Sequence, residues 1–155
     1  MVSLPPMEQD VWDAWRIAAI AAYAADMVRV GAWAPESAEE RAVSEFARIV
    51  PDGRQTAGHE FRSIVTPAGE VVGALWFAPD ERGRGTAFVW DITIEPAHRG
   101  AGYGRAAMEA LEPLARSLGY DTILLHVFGD NRVARSLYQA VGYAETDVTM
   151  VKQIG

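Results

Sequence analysis

Arg99-Gly100-Ala101-Gly102-Tyr103-Gly104-Arg105 is the stretch that decides the fold. An extended, alternating run precedes it, Phe88-Val89-Trp90-Asp91-Ile92-Thr93-Ile94, closed by Glu95-Pro96. A helical pattern from Ala106 to Leu118 follows it. The order is therefore strand, glycine-rich turn, helix. Such a turn leaves several backbone N–H groups without partners and aimed at one region. Glycines let that backbone close on an anion without side-chain clash. The helix end contributes roughly half a positive charge, and Arg99 and Arg105 contribute two full ones. The stretch reads as a diphosphate cradle. Three readings compete: a plain surface loop, a dinucleotide fold, or a pyrophosphate-bearing cofactor without nicotinamide. Gly102, Gly104 and Ala107 satisfy the weaker form of G-x-G-x-x-G/A, with Asp130 as a distant acid. The turn alone does not separate the last two readings.

Working outward, the chain upstream changes period once. Glu8 to Val30 carries Val11, Trp12, Trp15, Ile17, Ala18, Ala22 and Met27 at helical spacing and reads as one helix, with a break near Ala24 as the alternative. Glu36 to Val50 is a second helix with Ala38, Ala42, Phe46 and Ile49 on one side. Glu60–Val65 and Val71–Phe77 flank a tight turn and form a hairpin. Val2–Leu4 reads as a short first strand. Downstream, Pro113 inside the third helix predicts a kink near Glu109. Thr122–Phe128 reads as a buried strand, Val133–Val141 as a last helix, and Tyr143–Ile154 as a closing strand. Three strands in succession require antiparallel pairing, and the strand-helix-strand that follows requires a parallel pair. A dinucleotide fold would alternate strand and helix from its start.

The totals narrow the function. At 155 residues, half of them hydrophobic, one domain spanning 1–155 with a sizeable core is expected. There is no cysteine, which removes disulfide and thiolate chemistry and suits a reducing, cytoplasmic compartment. A net charge of −7 argues against nucleic acid as the main partner. The alanine-rich run from Ala14 to Val30 is broken by Arg16, Asp26 and Arg29, so no membrane span is expected. Three scattered histidines make no metal site.

Three pieces, in this order and separation, resemble the GNAT superfamily of N-acetyltransferases over nearly the whole chain. Asp91-Ile92-Thr93-Ile94-Glu95-Pro96 resembles the family's fourth strand. Arg99-Gly100-Ala101-Gly102-Tyr103-Gly104 resembles its acyl-CoA pyrophosphate motif. Asn131-Arg132-Val133-Ala134-Arg135-Ser136-Leu137-Tyr138, followed by Gly142-Tyr143, resembles its Asn-x-x-Ala-x-x-x-Tyr element. The resemblance implies an α/β fold: a mostly antiparallel sheet, splayed after the family's fourth strand and flanked by helices. It implies acetyl-CoA as co-substrate, with pantetheine against the backbone of Ile92, Thr93 and Ile94. Pyrophosphate would lie at residues 99–105, Asn131 near the pantetheine, and Tyr138 facing the sulfur.

Acetyl transfer to an amine needs a neutral amine, although a free alkyl amine titrates near about 10.4. It also needs close positioning, a donor for the developing oxyanion and support for the departing thiolate. Asp91 is the candidate base and Tyr138 the candidate donor to the thiolate. His126 is a core residue or a liner of the acceptor cleft, and His59 and His98 read as loop residues. Trp33, Trp76, Trp90 and Tyr23 are candidates for the acceptor pocket. A non-catalytic acyl-CoA sensor or interaction module is the alternative, and exposed apolar residues on the closing strand make a homodimer plausible.

Overall fold

The computed structural model describes residues 1–155. Helix α1 runs Gln9–Arg29 and α2 Pro35–Ile49, followed by strands β1 (Glu60–Val65), β2 (Val71–Pro79) and β3 (Thr86–Ile94). Helix α3 (Tyr103–Ser117), strand β4 (Thr122–Leu125) and helix α4 (Arg132–Ala140) complete the order. The sheet order is β1-β2-β3-β4, antiparallel except for the parallel pair β3–β4. This is the mixed α/β architecture expected from the three consecutive strands. None of the helices is long and apolar enough to cross a membrane.

Each sheet face has its own core. Leu75, Phe77, Val89 and Ile64 pack with Ala107, Met108, Leu111 and Ala115 of α3. On the other face Phe61, Ala74 and Trp76 pack with Trp12 of α1 and Val50, with Trp15 and Phe46 alongside. Placing helices on both faces buries β2 almost throughout, as the apolar run Val71–Ala78 requires.

Several sequence expectations need correction. Residues 2–4 form no strand; Ser3 makes an isolated bridge to Val65, and Pro6, just beyond, makes another to Arg62. Prolines 5 and 6 lack the N–H donors that a continuous ladder needs. The family's fourth strand is therefore β3 here. Helix α1 is the single helix expected: it is continuous through Ala24, which is buried against Trp33, Ala38 and Ala42, and no glycine or proline interrupts it. Helix α3 starts at Tyr103, earlier than expected, and continues through Pro113, with buried residues on both sides of the proline. Strand β4 ends at Leu125, so His126–Phe128 lie outside the ladder, and its apolar residues are only half-buried. Residues 144–155 form no strand and are exposed.

Candidate active site

The sheet comes apart at a defined residue. On β2, Trp76 pairs with Asp91 and Phe77 with Val89, so Trp90 is an extra residue, a β-bulge. Pairing of β3 with β4 runs from Thr86/Thr122 to Val89/Leu125 and stops there. A bulge bends its strand and increases its twist. Its position coincides with the parting: before Trp90 the strand serves both neighbours, and from Asp91 to Ile94 it pairs with β2 alone. The opening expected after the family's fourth strand is thus visible in the register.

Asp91 sits at that point. Its carboxylate accepts from the Trp15 indole N–H at 3.2 Å and from the Thr93 hydroxyl at 3.0 Å. Burial pushes the carboxyl above the ordinary carboxylate range; the two hydrogen bonds oppose that, and the like charge of Asp26 adds to it. Trp76, opposite Asp91 in the register, stacks on Trp90 at 5.2 Å and 17°. Phe88 meets Trp90 edge-on at 5.0 Å. Trp90 keeps 42% of its surface exposed. The result is an aromatic shelf with a carboxylate beside it. His59 closes the buried end by accepting from the Trp76 indole N–H at its Nδ1, 2.9 Å away. Burial lowers the His59 pKa, favouring the neutral ring that this bond needs.

The turn has the open donors that its sequence suggests. The N–H groups of Gly100 through Arg105 donate to no backbone acceptor, and the first bond beyond them is Ala106 N–H to Gly102. Gly100 and Gly102 adopt φ of 79° and 85°, and a Cβ at either would meet nothing within 4 Å. Gly104 has a different reason: a Cβ there would come 3.0 Å from Leu137, so its absence lets α3 approach α4. The arginines are placed differently from one another. Arg99 donates from Nε to the Ile94 carbonyl at 3.0 Å, tying the turn to the end of β3. Arg105 lies along α3 and pairs with Glu109 at 2.8 Å. Ala101 and Thr93 are exposed, whereas Ile92, Ile94 and Tyr103 pack partly into the α3 core.

Asn131 caps α4, its side-chain oxygen accepting from Ala134 N–H at 3.2 Å. Two turns on, Tyr138 is half-buried, with its ring 5.9 Å from that of Tyr143. Burial raises the Tyr138 pKa, and the negative charge of Asp91 raises it further, so the two groups are close enough to sense each other. His126 is exposed, edge-on to Phe128 at 5.1 Å, rather than in a buried strand. Trp33 and Tyr23 form a separate group with each other and with Arg41, whose guanidinium lies over the Trp33 ring. Of the four aromatic pocket candidates, only Trp76 and Trp90 adjoin Asp91. The donor from Trp15 had no counterpart in the sequence reading, where Trp12 and Trp15 marked only an apolar helix side.

Comparisons with known proteins agree with this geometry. The model of the Acetyltransferase (GNAT) family matches residues 11–143. The uncharacterized N-acetyltransferase YycN of Bacillus subtilis is 34% identical over 99% of both chains. Its crystal structure superposes with a TM-score of 0.93 at 33% identity, covering 99% of each chain. A mycothiol acetyltransferase of Kytococcus sedentarius is 34% identical over 66% of this chain, which spans 34% of that longer protein. The structure of AAC(6')-Iy with the bisubstrate analog CoA-S-monomethyl-acetylneamine shares the fold, at TM-score 0.61 and 15% identity over 100% of this chain and 99% of that one.

Proposed function

The chain belongs to the GNAT family of acetyltransferases, and from that premise we propose that it moves an acetyl group from acetyl-CoA to a primary amine, by direct attack in a ternary complex. The observation that carries the reading is the row of unpaired N–H groups from Gly100 to Arg105 at the start of α3, beside a parted β3. Backbone donors at a helix N-terminus suit a pyrophosphate. The two positive-φ glycines leave space in front of the turn, so the residues present fit the cofactor. The AAC(6')-Iy complex supports the same reading, because that protein of like fold takes a CoA-containing analog.

In this proposal Gly100–Arg105 hold the pyrophosphate, and Arg99 fixes the turn against Ile94. The backbone of Ile92, Thr93 and Ile94 faces the pantetheine arm, and the amide of Asn131 adds a contact. Bound acetyl-CoA supplies an activated thioester carbonyl. A backbone N–H near Ile92 or Thr93 donates to the developing oxyanion, worth about 3–4 kcal/mol. Asp91 takes the amine proton, directly or through a water. Its raised pKa makes it a better base than an exposed carboxylate. Tyr138, held protonated by burial, donates to the leaving sulfur. The Trp90 shelf receives the body of the acceptor, and the Asp91 carboxylate attracts its ammonium group. The same reading takes residues 1–155 as one catalytic domain working in the cytoplasm, in keeping with the lack of cysteine.

Titration calorimetry with acetyl-CoA, followed by thiol release across a library of primary amines, tests the proposal. Binding together with amine-dependent thiol release is expected. Absence of binding at millimolar cofactor refutes it, and binding without release for any amine favours a sensor.

A further inference from the structure

Beyond Val89, β3 has no neighbour on its β4 side. No backbone hydrogen bond crosses from residues 90–94 to residues 126–131. Something other than the sheet therefore sets how far apart the two sides of the opening stand. On the α3 side, Leu137 and Tyr138 pack against the core and carry α4 with them. On the α1 side one residue makes the connection. Arg29 is the last residue of α1. Its guanidinium donates from Nη1 to the Asp130 carboxylate and from Nη2 to that of Asp26, the latter at 3.3 Å. It also lies over the Phe128 ring, 5.1 Å from the centroid. The other side-chain hydrogen bonds of residues 126–131 stay within α4 and its cap, at Ala134 and Arg135. A planar fork that meets two carboxylates and an aromatic face is a task for arginine and not for lysine.

Arg29 stands on the same side of α1 as the candidate base. Trp15, Ala19, Ala22 and Asp26 recur at intervals of three and four, so they share one side of the helix. Trp15 bonds to Asp91 at one end of this row, and Asp26 holds Arg29 at the other. Asp26 is also the like charge that Asp91 senses. Between the two ends the row holds only alanines, whose short side chains leave space along the helix. Arg29 bounds that space where α1 meets the loop leading into Asn131 and α4.

We propose that Arg29 is a specificity-determining brace: by joining Asp26 of α1 to Asp130 ahead of α4, it fixes the width of the opening and selects unbranched primary amines over branched ones. The selection of acceptors rests on the acyl-transfer reading; the brace itself does not. The side chains of Arg29, Asp26 and Asp130 are 42%, 46% and 63% exposed. Pairs this exposed are weak and are screened by salt. The width is therefore adjustable, by salt or by a single substitution.

Two measurements on the full chain test it. Hydrogen exchange needs no acceptor: residues 126–135 should exchange faster in Arg29→Gln than in the parent, with residues 122–125 unchanged. Equal exchange at 126–135 overturns the brace. The second measurement compares kcat/KM for n-hexylamine and 2-ethylbutylamine, isomers of like basicity. The parent should prefer n-hexylamine. Arg29→Gln and Asp130→Asn should each reduce that preference by about tenfold, chiefly through KM for the branched amine, with acetyl-CoA affinity within about twofold of the parent. The double variant should reduce it no further, because both changes open one contact. Going from about 0.1 M to about 1 M salt shortens the screening length from about 10 Å to about 3 Å, which should lower the preference in the parent and leave Arg29→Gln unmoved. An unchanged preference in the single variants overturns the selection even where exchange quickens, and effects that multiply in the double variant overturn the pairing. Thiol release with no amine at all refutes the catalytic reading and the selection with it, while exchange still decides the brace.

Discussion

The indole N–H of Trp15 donates to the carboxylate of Asp91 across 76 residues of sequence, at 3.2 Å. This one bond joins α1 to the point where β3 leaves β4. It matters because Asp91 is otherwise in an unfavourable place for a charge: burial and Asp26 favour its neutral form. Trp15 is held for the task by packing edge-on against Trp76 at 5.8 Å, and Trp76 is the cross-strand partner of Asp91. Helix, sheet and carboxylate therefore form one unit.

Trp15→Phe keeps most of that packing and removes the donor. A hydrogen bond to a charged group contributes about 1.5–3 kcal/mol, and about 1.4 kcal/mol corresponds to one pKa unit. The acidic limb of the rate profile should move up by about one unit or more. The affinity for acetyl-CoA should stay within about twofold, because Trp15 lies away from the turn. A pH–rate profile and a calorimetric titration read the two quantities separately. An unmoved limb removes the link between Trp15 and Asp91.

Asp91→Asn separates catalysis from stability. A general base contributes on the order of 10²–10⁴ in rate, so in the proposed role of Asp91 thiol release should fall by at least about a hundredfold. Stability should move the other way. The folded pKa lies above the ordinary 3.8, so the native state holds its proton more tightly than the unfolded chain does. Stability therefore falls as pH rises from about the ordinary value through the folded one. The asparagine variant lacks this loss, so its melting temperature at neutral pH should equal or exceed that of the parent, with the gain shrinking below the ordinary carboxylate range. Thermal melts across pH measure this directly.

The architecture was legible where local chemistry determines it. The period change from helix to hairpin, the glycines of residues 100–104 and the Gly142 stop after α4 all act through their own backbone. What was illegible depends on distant partners. Nothing in Phe88–Ile94 marks Trp90 as the bulged residue, because the extra residue is defined against Trp76 and Phe77. Nothing in the α1 sequence says that the Trp15 indole finds Asp91. Tyr143–Ile154 has strand composition, but composition alone forms no ladder, and residues 144–155 make no backbone hydrogen bond. Pro113 lies inside α3, and the burial of Ala107, Met108, Leu111 and Ala115 against the core carries the helix through it.

Gly102→Ala tests the turn against a matched control. Gly102 and Gly119 have φ of 85° and 92°, and a Cβ at either meets nothing within 4 Å. A left-handed alanine costs roughly 1–2 kcal/mol in each case, so both variants should melt lower by similar amounts. Only Gly102 borders the open donors; Gly119 lies beyond the other end of α3, about 25 Å away at 1.5 Å per residue. Acetyl-CoA affinity should drop by about tenfold or more in Gly102→Ala and remain at parent level in Gly119→Ala. Equal affinities in the two variants would move the cofactor away from this turn.

Tyr138→Phe removes one oxygen from a half-buried ring that packs beside Tyr143. The ring contacts survive, so melting temperature and acetyl-CoA affinity should change little. The hydroxyl stays protonated through neutral pH, because burial and the Asp91 charge both raise its pKa. It is therefore available as a donor over the whole working range, and the parent should show no basic limb from this group below its ordinary value of 10.0. Loss of the donor acts on departure of the thiolate, a charge that forms only during reaction. The expected signature is turnover lowered by about 10²-fold with KM for acetyl-CoA nearly constant. Part of that loss should be recovered with an acetyl thioester whose thiol has a lower pKa, since such a leaving group needs less help. A variant that is equally slow with both thioesters would assign Tyr138 to packing alone.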